Sequence, residues 1–293
     1  MVAKNPLLSS TGQRGVALIA VLWLVAAMGL IVNGVVQSVR SEIRMAAMQR
    51  QSVVTGAIAD AAILLAMQSL QSQQKEPGKD IQFIPVEFGG ISRKVMMQPL
   101  NGLIDLNNAP LILLAELYRH VGKLNPDAAQ AMAQATVTAR ELKGAKGIAQ
   151  GFDAVEDLLR MHAMTYDLYA KIVGLVTADL KEGSGRVNAL AAPMGVLQVL
   201  AGGDASRAAS LAAQRNANPS VMDTSFFKPE HIEMASSRSL LFQVQIDLPD
   251  DGVFQKSWQV YWDTDPRSGL PWRVLGTHQS MIRALPRPTA SGL

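Results

Sequence analysis

The chain has 293 residues, a formal net charge of +3 and a sequence pI of about 9.2, enough length for two compact domains or one domain carrying a large insertion. It contains no cysteine, which removes disulfides, thiolate metal sites and a cysteine nucleophile. No run of five or more Lys and Arg argues for nucleic acid, and His120, His162, His231 and His278 lack the i, i+4 spacing of a helical metal site.

In chain order, the first element is apolar. Gly15 to Val39 carries no charge between Arg14 and Arg40, and at about 1.5 Å per helical residue this stretch is long enough to cross a bilayer. It is too long for a Sec-type signal, and no A-x-A cleavage site is well placed after it. Helical periodicity continues past Arg40, because Ser41 to Gln74 holds no proline and only one glycine, Gly56. Ile43, Ala47, Val54, Ile58, Ala61 and Leu65 keep helical spacing, with Arg44, Arg50 and Asp60 off that stripe. The spacing predicts one helix of about 58 residues, roughly 85 to 90 Å long. Its first half is apolar all round, its second half amphipathic, and "KEPGKD" at Lys75 to Asp80 ends it. Charge leaves its orientation open: Lys4 and Arg14 precede the span, while Arg40, Arg44 and Arg50 follow it.

A short polar leader ends at Gly15 and the apolar segment begins at Val16, "TGQRG" followed by "VALIAVLW". This junction resembles the class III signal of type IV pilins and of the pseudopilins of type II secretion. The resemblance implies that a prepilin peptidase cuts between Gly15 and Val16, that Val16 becomes an N-methylated terminus, and that the apolar helix is retained. Most such proteins have a glutamate at the fifth mature position, thought to pair with a neighbouring subunit's terminal amine, a costly charge to bury unpaired. Here that position is Ala20, and the minor pseudopilin K family characteristically lacks the glutamate.

Two alternating stretches follow, "IQFIPVEF" and "ISRKVMMQPL", separated by Gly89 and Gly90, which reads as a hairpin. From Asn101 to about Ser237 the pattern is helical and alanine-rich. Three β-type segments then return, "SLLFQVQIDL", "FQKSWQVYW" and "PWRVLGTHQSMI", with turns at Pro249 to Gly252 and Asp263 to Leu270. The tail "LPRPTASGL" reads as disordered. A sheet split by a helical insertion accounts for this order better than two serial domains.

The helical block contains a repeat. "GLIDLNNAPLILLAEL" from Gly102 aligns with "GRVNALAAPMGVLQVL" from Gly185 at an offset of 83 residues. Pro110 and Pro193 suit the first helical turn, where a missing N–H costs nothing. Asn108 is placed to cap the helix that follows. Leu113, Leu114 and Leu117, with Val196, Leu197 and Leu200, are expected to be buried. Two segments, "LLAELYRHVGKLNPDAAQAMAQATVTAR" and "AVEDLLRMHAMTYDLYAKIVGLVTADL", each resemble a helix–hairpin–helix unit. Such units often bind DNA backbone through glycine-rich hairpins. The second hairpin here, His162-Ala163-Met164, has no glycine, and the first has only Gly122. Packing or partner contact is the stronger expectation.

The whole order, leader, Ala20 and the Ala-Pro frames "DLNNAP" and "RVNALAAP", resembles the minor pseudopilin K family of type II secretion. The second frame departs from that family's run of asparagines at Leu190 and Ala191. The resemblance implies an α+β, type IV pilin-like fold: a long N-terminal helix on an antiparallel sheet, with an all-α insertion of two helix–hairpin–helix or SAM-like units. Its expected divisions are a cleaved leader (1–15), a transmembrane part (16–39), an amphipathic helix with the first strands (40–100), the insertion (101–237), the last strands (238–285) and a flexible tail (286–293). The implied role is a non-enzymatic subunit at the pseudopilus tip that nucleates assembly and supports export of folded proteins. Implied partners are the minor pseudopilins I and J, with H, the prepilin peptidase, the inner-membrane assembly platform and secreted substrates, with no nucleic acid. The implied location is the bacterial inner membrane, single-pass, with the C-terminal domain in the periplasm. The alternative is a minor pilin of a type IV pilus or competence system whose helical domain touches DNA or a surface.

No catalytic constellation is present: no G-x-S-x-G, P-loop or H-E-x-x-H. Glu116, Glu141, Asp153, Glu156 and Asp157 read as solvated faces or first-turn charges. Asp247, Asp250 and Asp251, with Asp263 and Asp265, form two acidic turns whose hard oxygens suit calcium. Neither has EF-hand spacing, and ordinary Asp-rich turns are the stronger reading.

Overall fold

One α-helix, α1 (Gln13–Ser72), opens the computed structural model, which describes residues 13–73, 77–142, 151–178, 183–218, 222–248 and 252–282, with side chains from Leu18 onward. Two units divide the chain, Met1–Thr55 and Gly56–Leu293. In the described part of the first unit the chain is helix throughout, as the unbroken run of non-proline residues permits. The predicted stop also falls where expected, with the helix ending at Ser72. The expected tail, 286–293, lies outside the described residues.

In the second unit, the end of α1 packs on a five-stranded antiparallel sheet. Its strands are β1 (Gln82–Phe88), β2 (Ile91–Pro99), β7 (Ser239–Asp247), β8 (Val253–Tyr261) and β9 (Arg273–Ile282), in the order β1-β2-β7-β8-β9. The predicted hairpin is β1–β2, with Phe88 opposite Ile91 across Gly89 (φ 60°) and Gly90 (φ 75°). Positive φ at both central residues is what a tight hairpin of this hand requires. Pro85 sits in edge strand β1, where a missing N–H is tolerated. The three predicted C-terminal strands are β7, β8 and β9.

The helix face that meets the sheet is one residue away from the predicted stripe. Ala59, Ala62, Ile63, Ala66, Met67 and Leu70 are buried, whereas Ile58, Ala61 and Leu65 are half-buried, and Ile43 and Val54 are exposed. Three alanines let the helix backbone approach the sheet closely, and Ile84, Val95, Met97, Phe242, Val244 and Phe254 fill the facing side. The same rotation brings Asp60 over β8. There its Oδ2 accepts from Lys256 Nζ at 2.7 Å and its Oδ1 from Trp258 Nε1 at 3.0 Å.

Between β2 and β7 lies the insertion, with its own core. β3 (Ile104–Asp105), α2 (Leu111–His120), α3 (Pro126–Glu141), α4 (Tyr166–Ile172) and β4 (Val176–Thr177) form its first half. β5 (Val187–Asn188), α5 (Met194–Leu200), α6 (Ala205–Ala217) and β6 (Ile232–Glu233) form its second. Each half is closed by a two-residue parallel bridge, β3 with β4 and β5 with β6. Leu113, Leu114, Leu117, Val196 and Leu197 are buried as expected, and Leu200 is partly buried. Capping is local. Asn125 Oδ1 accepts from Ala128 N ahead of α3, Thr165 Oγ1 from Leu168 N ahead of α4, and Asp204 Oδ1 from Arg207 N ahead of α6.

Three local expectations are corrected. Pro110 and Pro193 are N-caps with extended ψ (148° and 164°), not first-turn residues. Asn108 does not cap α2: its Nδ2 turns back to Asp105 Oδ2 at 2.6 Å. A proline's fixed φ is compatible with either position, and the extended ψ here sets the helix one residue later. The segment from Ala154 contains a 3-10 turn, Val155–Arg160, and the seven-residue α4 rather than two α-helices. The second helix pair is α5 with α6.

Candidate functional site

The first candidate surface is the described apolar part of α1 in the first unit. Its side chains face outward from Leu18 on: Trp23 and Leu30 are each 74% exposed, and none of the most apolar window is buried. By length and composition this helix can cross a membrane, and its mean hydropathy over that window is 2.4. Ala20 lies on it as one more small apolar residue, so the segment from Leu18 to Val39 carries no charge. Gly15 and Val16 lie in α1, and their side chains fall outside those described.

The second is the insertion, whose halves repeat atom for atom at several positions. Asp105 Oδ1 accepts from Asn107 N at 2.9 Å, and 83 residues on, Asn188 Oδ1 accepts from Leu190 N at 3.0 Å. Both are Asx turns leading into the Ala-Pro pair. Arg140, in the last turn of α3, donates to the Ala109 carbonyl at 2.8 Å, and Arg215, in the last turn of α6, donates to the Ala192 carbonyl. Ala109 and Ala192 are again equivalent positions. Each half therefore closes with its second helix reaching back to the carbonyl before its proline.

The halves also grip each other reciprocally. A Cβ on Gly102 would fall on the Ala191 carbonyl, and a Cβ on Gly185 (φ 74°) would fall on the Asn108 carbonyl. Gly185 is the equivalent of Gly102, and Ala191 of Asn108, so the contact is the same one made twice across a pseudo-two-fold axis. Glu233 bridges the adjoining equivalent pair, Asn101 and Ser184, its Oε1 accepting from Asn101 Nδ2 at 3.2 Å and its Oε2 from Ser184 Oγ at 2.5 Å. The frame alignment pointed to this glycine pair, but spacing carries no information on what each glycine touches.

Burial tunes three charges here. Desolvation raises the Asp105 carboxyl above its usual pKa, against the lowering pull of the Asn108 and Asn107 hydrogen bonds and of Arg140. It pushes Arg215 down, Asp80 opposing. His231 is lowered, by burial first and by Lys228 next. Each is explained by packing, and none converges on a cleft with a second catalytic group.

Gly122 is the one glycine of the first hairpin. It is buried, its N–H donates to Leu117 O at 3.2 Å, and a Cβ there would meet the Tyr118 carbonyl and Leu168. Its conformation serves helix packing, and its N–H is already engaged within the hairpin. The first-turn charges behave as expected, Asp157 Oδ2 accepting from Asp153 N and Ala154 N.

The described acidic residues of the two turns lie at opposite ends of β8. Asp247 pairs with Val253 at one end of β8, while Asp263 and Asp265 follow Tyr261 at its other end, roughly 27 Å away at strand rise. Asp250 and Asp251 lie outside the described residues. Asp263 Oδ2 accepts from Arg238 at 3.3 Å. Asp265 caps its own turn, accepting from Arg267 N at 3.1 Å and Ser268 Oγ at 2.8 Å, bonds that hold its carboxyl below the usual range. Asp247 is therefore too distant to share an ion with Asp263 or Asp265. Among the described residues, no three His, Asp or Glu side chains gather as metal ligands.

No family model matches the chain, and no curated protein matches it in sequence. Among solved structures, a chain of the GspK-GspI-GspJ complex from the type 2 secretion system of enterotoxigenic Escherichia coli is similar to it. The TM-score is 0.50 at 15% sequence identity, and the alignment covers 82% of this chain and 99% of that one. The shared property is the fold.

Proposed function

We propose that the chain is a minor pseudopilin of the K family, a non-enzymatic subunit of a type II secretion pseudopilus. The observation that carries this reading is an architecture. A long apolar helix continues into a helix packed on an antiparallel sheet, and a large helical domain interrupts that sheet between β2 and β7. The fold likeness to a chain of the GspK-GspI-GspJ complex supports it, as does the leader ending at Gly15.

The mechanism is mechanical. Prepilin peptidase cuts between Gly15 and Val16, Val16 is methylated, and the helix anchors the protein in the inner membrane with the second unit in the periplasm. Extraction into the pseudopilus exchanges lipid for sibling helices around the apolar surface. With Ala20 in place of the glutamate, the subunit has no carboxylate for a subunit ahead of it, and its duplicated insertion of helix–hairpin–helix type gives it a bulk that suits the tip. There it joins the minor pseudopilins I, J and H, is assembled on the inner-membrane platform, and supports export. No step requires a metal. The engaged N–H of Gly122 gives no support to the DNA-binding alternative.

The test is processing followed by partnership. Mass and N-terminal sequence of membrane-extracted protein should begin at Val16 when the peptidase is present, and the processed protein should co-purify with siblings I and J. A chain still starting at Met1 under those conditions defeats the reading.

A further inference from the structure

The span of α1 has two unlike faces. Ala26, Gly29, Asn33, Gln37, Arg40 and Arg44 follow one another at steps of three and four residues, and at 100° per residue they fall within an arc of about 80°. Leu24, Met28, Val35 and Val39 occupy the opposite side, which is apolar up to Val39 and carries Glu42 beyond it. Asn33, Gln37, Arg40 and Arg44 are exposed and have no hydrogen-bond or ion-pair partner among the described residues.

In water that would mean nothing. In a bilayer, Asn33 lies about 10 Å below Arg40, inside the hydrocarbon, on a side chain too short to reach the headgroups. An amide there is costly unless another helix pairs with it. Gly29 and Ala26, one and two turns deeper, present no bulk and let a second backbone come close. The polar stripe then leaves the membrane as two guanidinium groups.

We infer that this face of α1 binds a parallel membrane-spanning helix of another protein, one that offers an amide or hydroxyl level with Asn33 and carboxylates level with Arg40 and Arg44. The charges decide the occupant. A second copy of this chain in the parallel orientation would set Arg40 against Arg40 and Arg44 against Arg44, while Glu42 points to the far side of the helix. Like charges so placed repel, whereas an acidic partner is attracted and its register fixed. The inference rests on the proposal that α1 is a membrane anchor.

The absence of cysteine makes the test direct. Met45→Cys, at a residue 65% exposed on α1, gives the full chain a single fluorescent label for reconstitution into phosphatidylcholine vesicles. The probe is a synthetic Leu/Ala membrane-spanning peptide with one Asn and two Glu at the matching levels; its control carries Lys in place of Glu. Energy transfer to the Glu peptide should exceed that to the Lys peptide. Asn33→Leu and Arg40→Glu should each weaken association about threefold to tenfold, and Val35→Ala on the opposite face should not change it. Equal transfer to both peptides, or equal loss from either face, overturns the inference while leaving the anchor standing. Self-association of the chain without peptide, through the Asn33 face, overturns the choice of partner. A chain that alkaline carbonate strips from the vesicles overturns the anchor reading, and this inference with it.

Discussion

Gly102 lies so close against the carbonyl of Ala191 that a single added methyl would overlap it, and Gly185 stands in the same relation to Asn108. The obstacle in each case is backbone, which cannot swing aside as a flexible side chain could. Overpacking of this kind typically costs about 1–3 kcal/mol, and Gly185 adds the strain of its positive φ. Gly102→Ala and Gly185→Ala should each lower the thermal midpoint of the detergent-solubilised chain by several degrees, with Gly185→Ala the more severe. Gly174→Ala is the control, since nothing stands within 4 Å of its Cβ position and its φ is not positive. Equal midpoints for all three would mean that the halves do not interlock as described.

The two arginines that close the halves give a second expectation. Arg215 is 9% exposed and Arg140 half-buried, so removing either side chain leaves a carbonyl to find another donor. Arg215→Ala should destabilise by about 2–4 kcal/mol and Arg140→Ala by less, because the half-exposed place left by the Arg140 side chain lets water in to its carbonyls. Urea denaturation followed by circular dichroism measures both. A larger loss from Arg140→Ala would reverse the assigned order of burial and importance.

Much of the pilin-like half was legible because its elements are long enough to show their period. The hairpin at Gly89 and Gly90, the three C-terminal strands and the 60-residue helix were all marked by spacing and breakers. Which face of α1 meets the sheet was not legible. Alanine scores weakly as apolar, and Asp60 looks like a solvent-facing residue until Lys256 and Trp258 arrive from almost 200 positions away. The insertion was half legible. The Ala-Pro frame revealed the duplication, but bridges of two residues, such as β3 with β4, have no period to detect. Arg215 in an alanine-rich helix likewise reads as a surface charge.

Asp60 itself gives the third prediction. Its carboxylate is 34% exposed and holds a lysine that is 14% exposed together with an indole N–H. Asp60→Leu would leave Lys256 short of its counter-charge beside an apolar helix. We expect a loss of about 1–3 kcal/mol, between the values for surface and buried pairs. Trp258 offers a local readout, since loss of its hydrogen bond should shift its emission before global unfolding. An unchanged stability would show that solvent already screens the pair.

Asp105 and Asn188 perform the same turn with different chemistry, which yields a prediction in pH. Burial raises the Asp105 carboxyl above its ordinary 3.8, so the folded state binds its proton more tightly than the unfolded chain does. The sign follows from linkage: relative to an uncharged residue, this carboxyl costs stability above its folded pKa, and the cost fades as pH falls toward 3.8. Asp105→Asn keeps an acceptor for Asn107 N–H, as Asn188 shows for Leu190. The variant should therefore be at least as stable as the parent at pH 7. Its advantage in thermal midpoint should shrink as pH is lowered toward 4 and the parent's carboxyl takes up its proton. A gap that widens on acidification would mean that the bonds from Asn107 and Asn108, with Arg140, outweigh desolvation, and that the carboxylate is the favoured form in the fold.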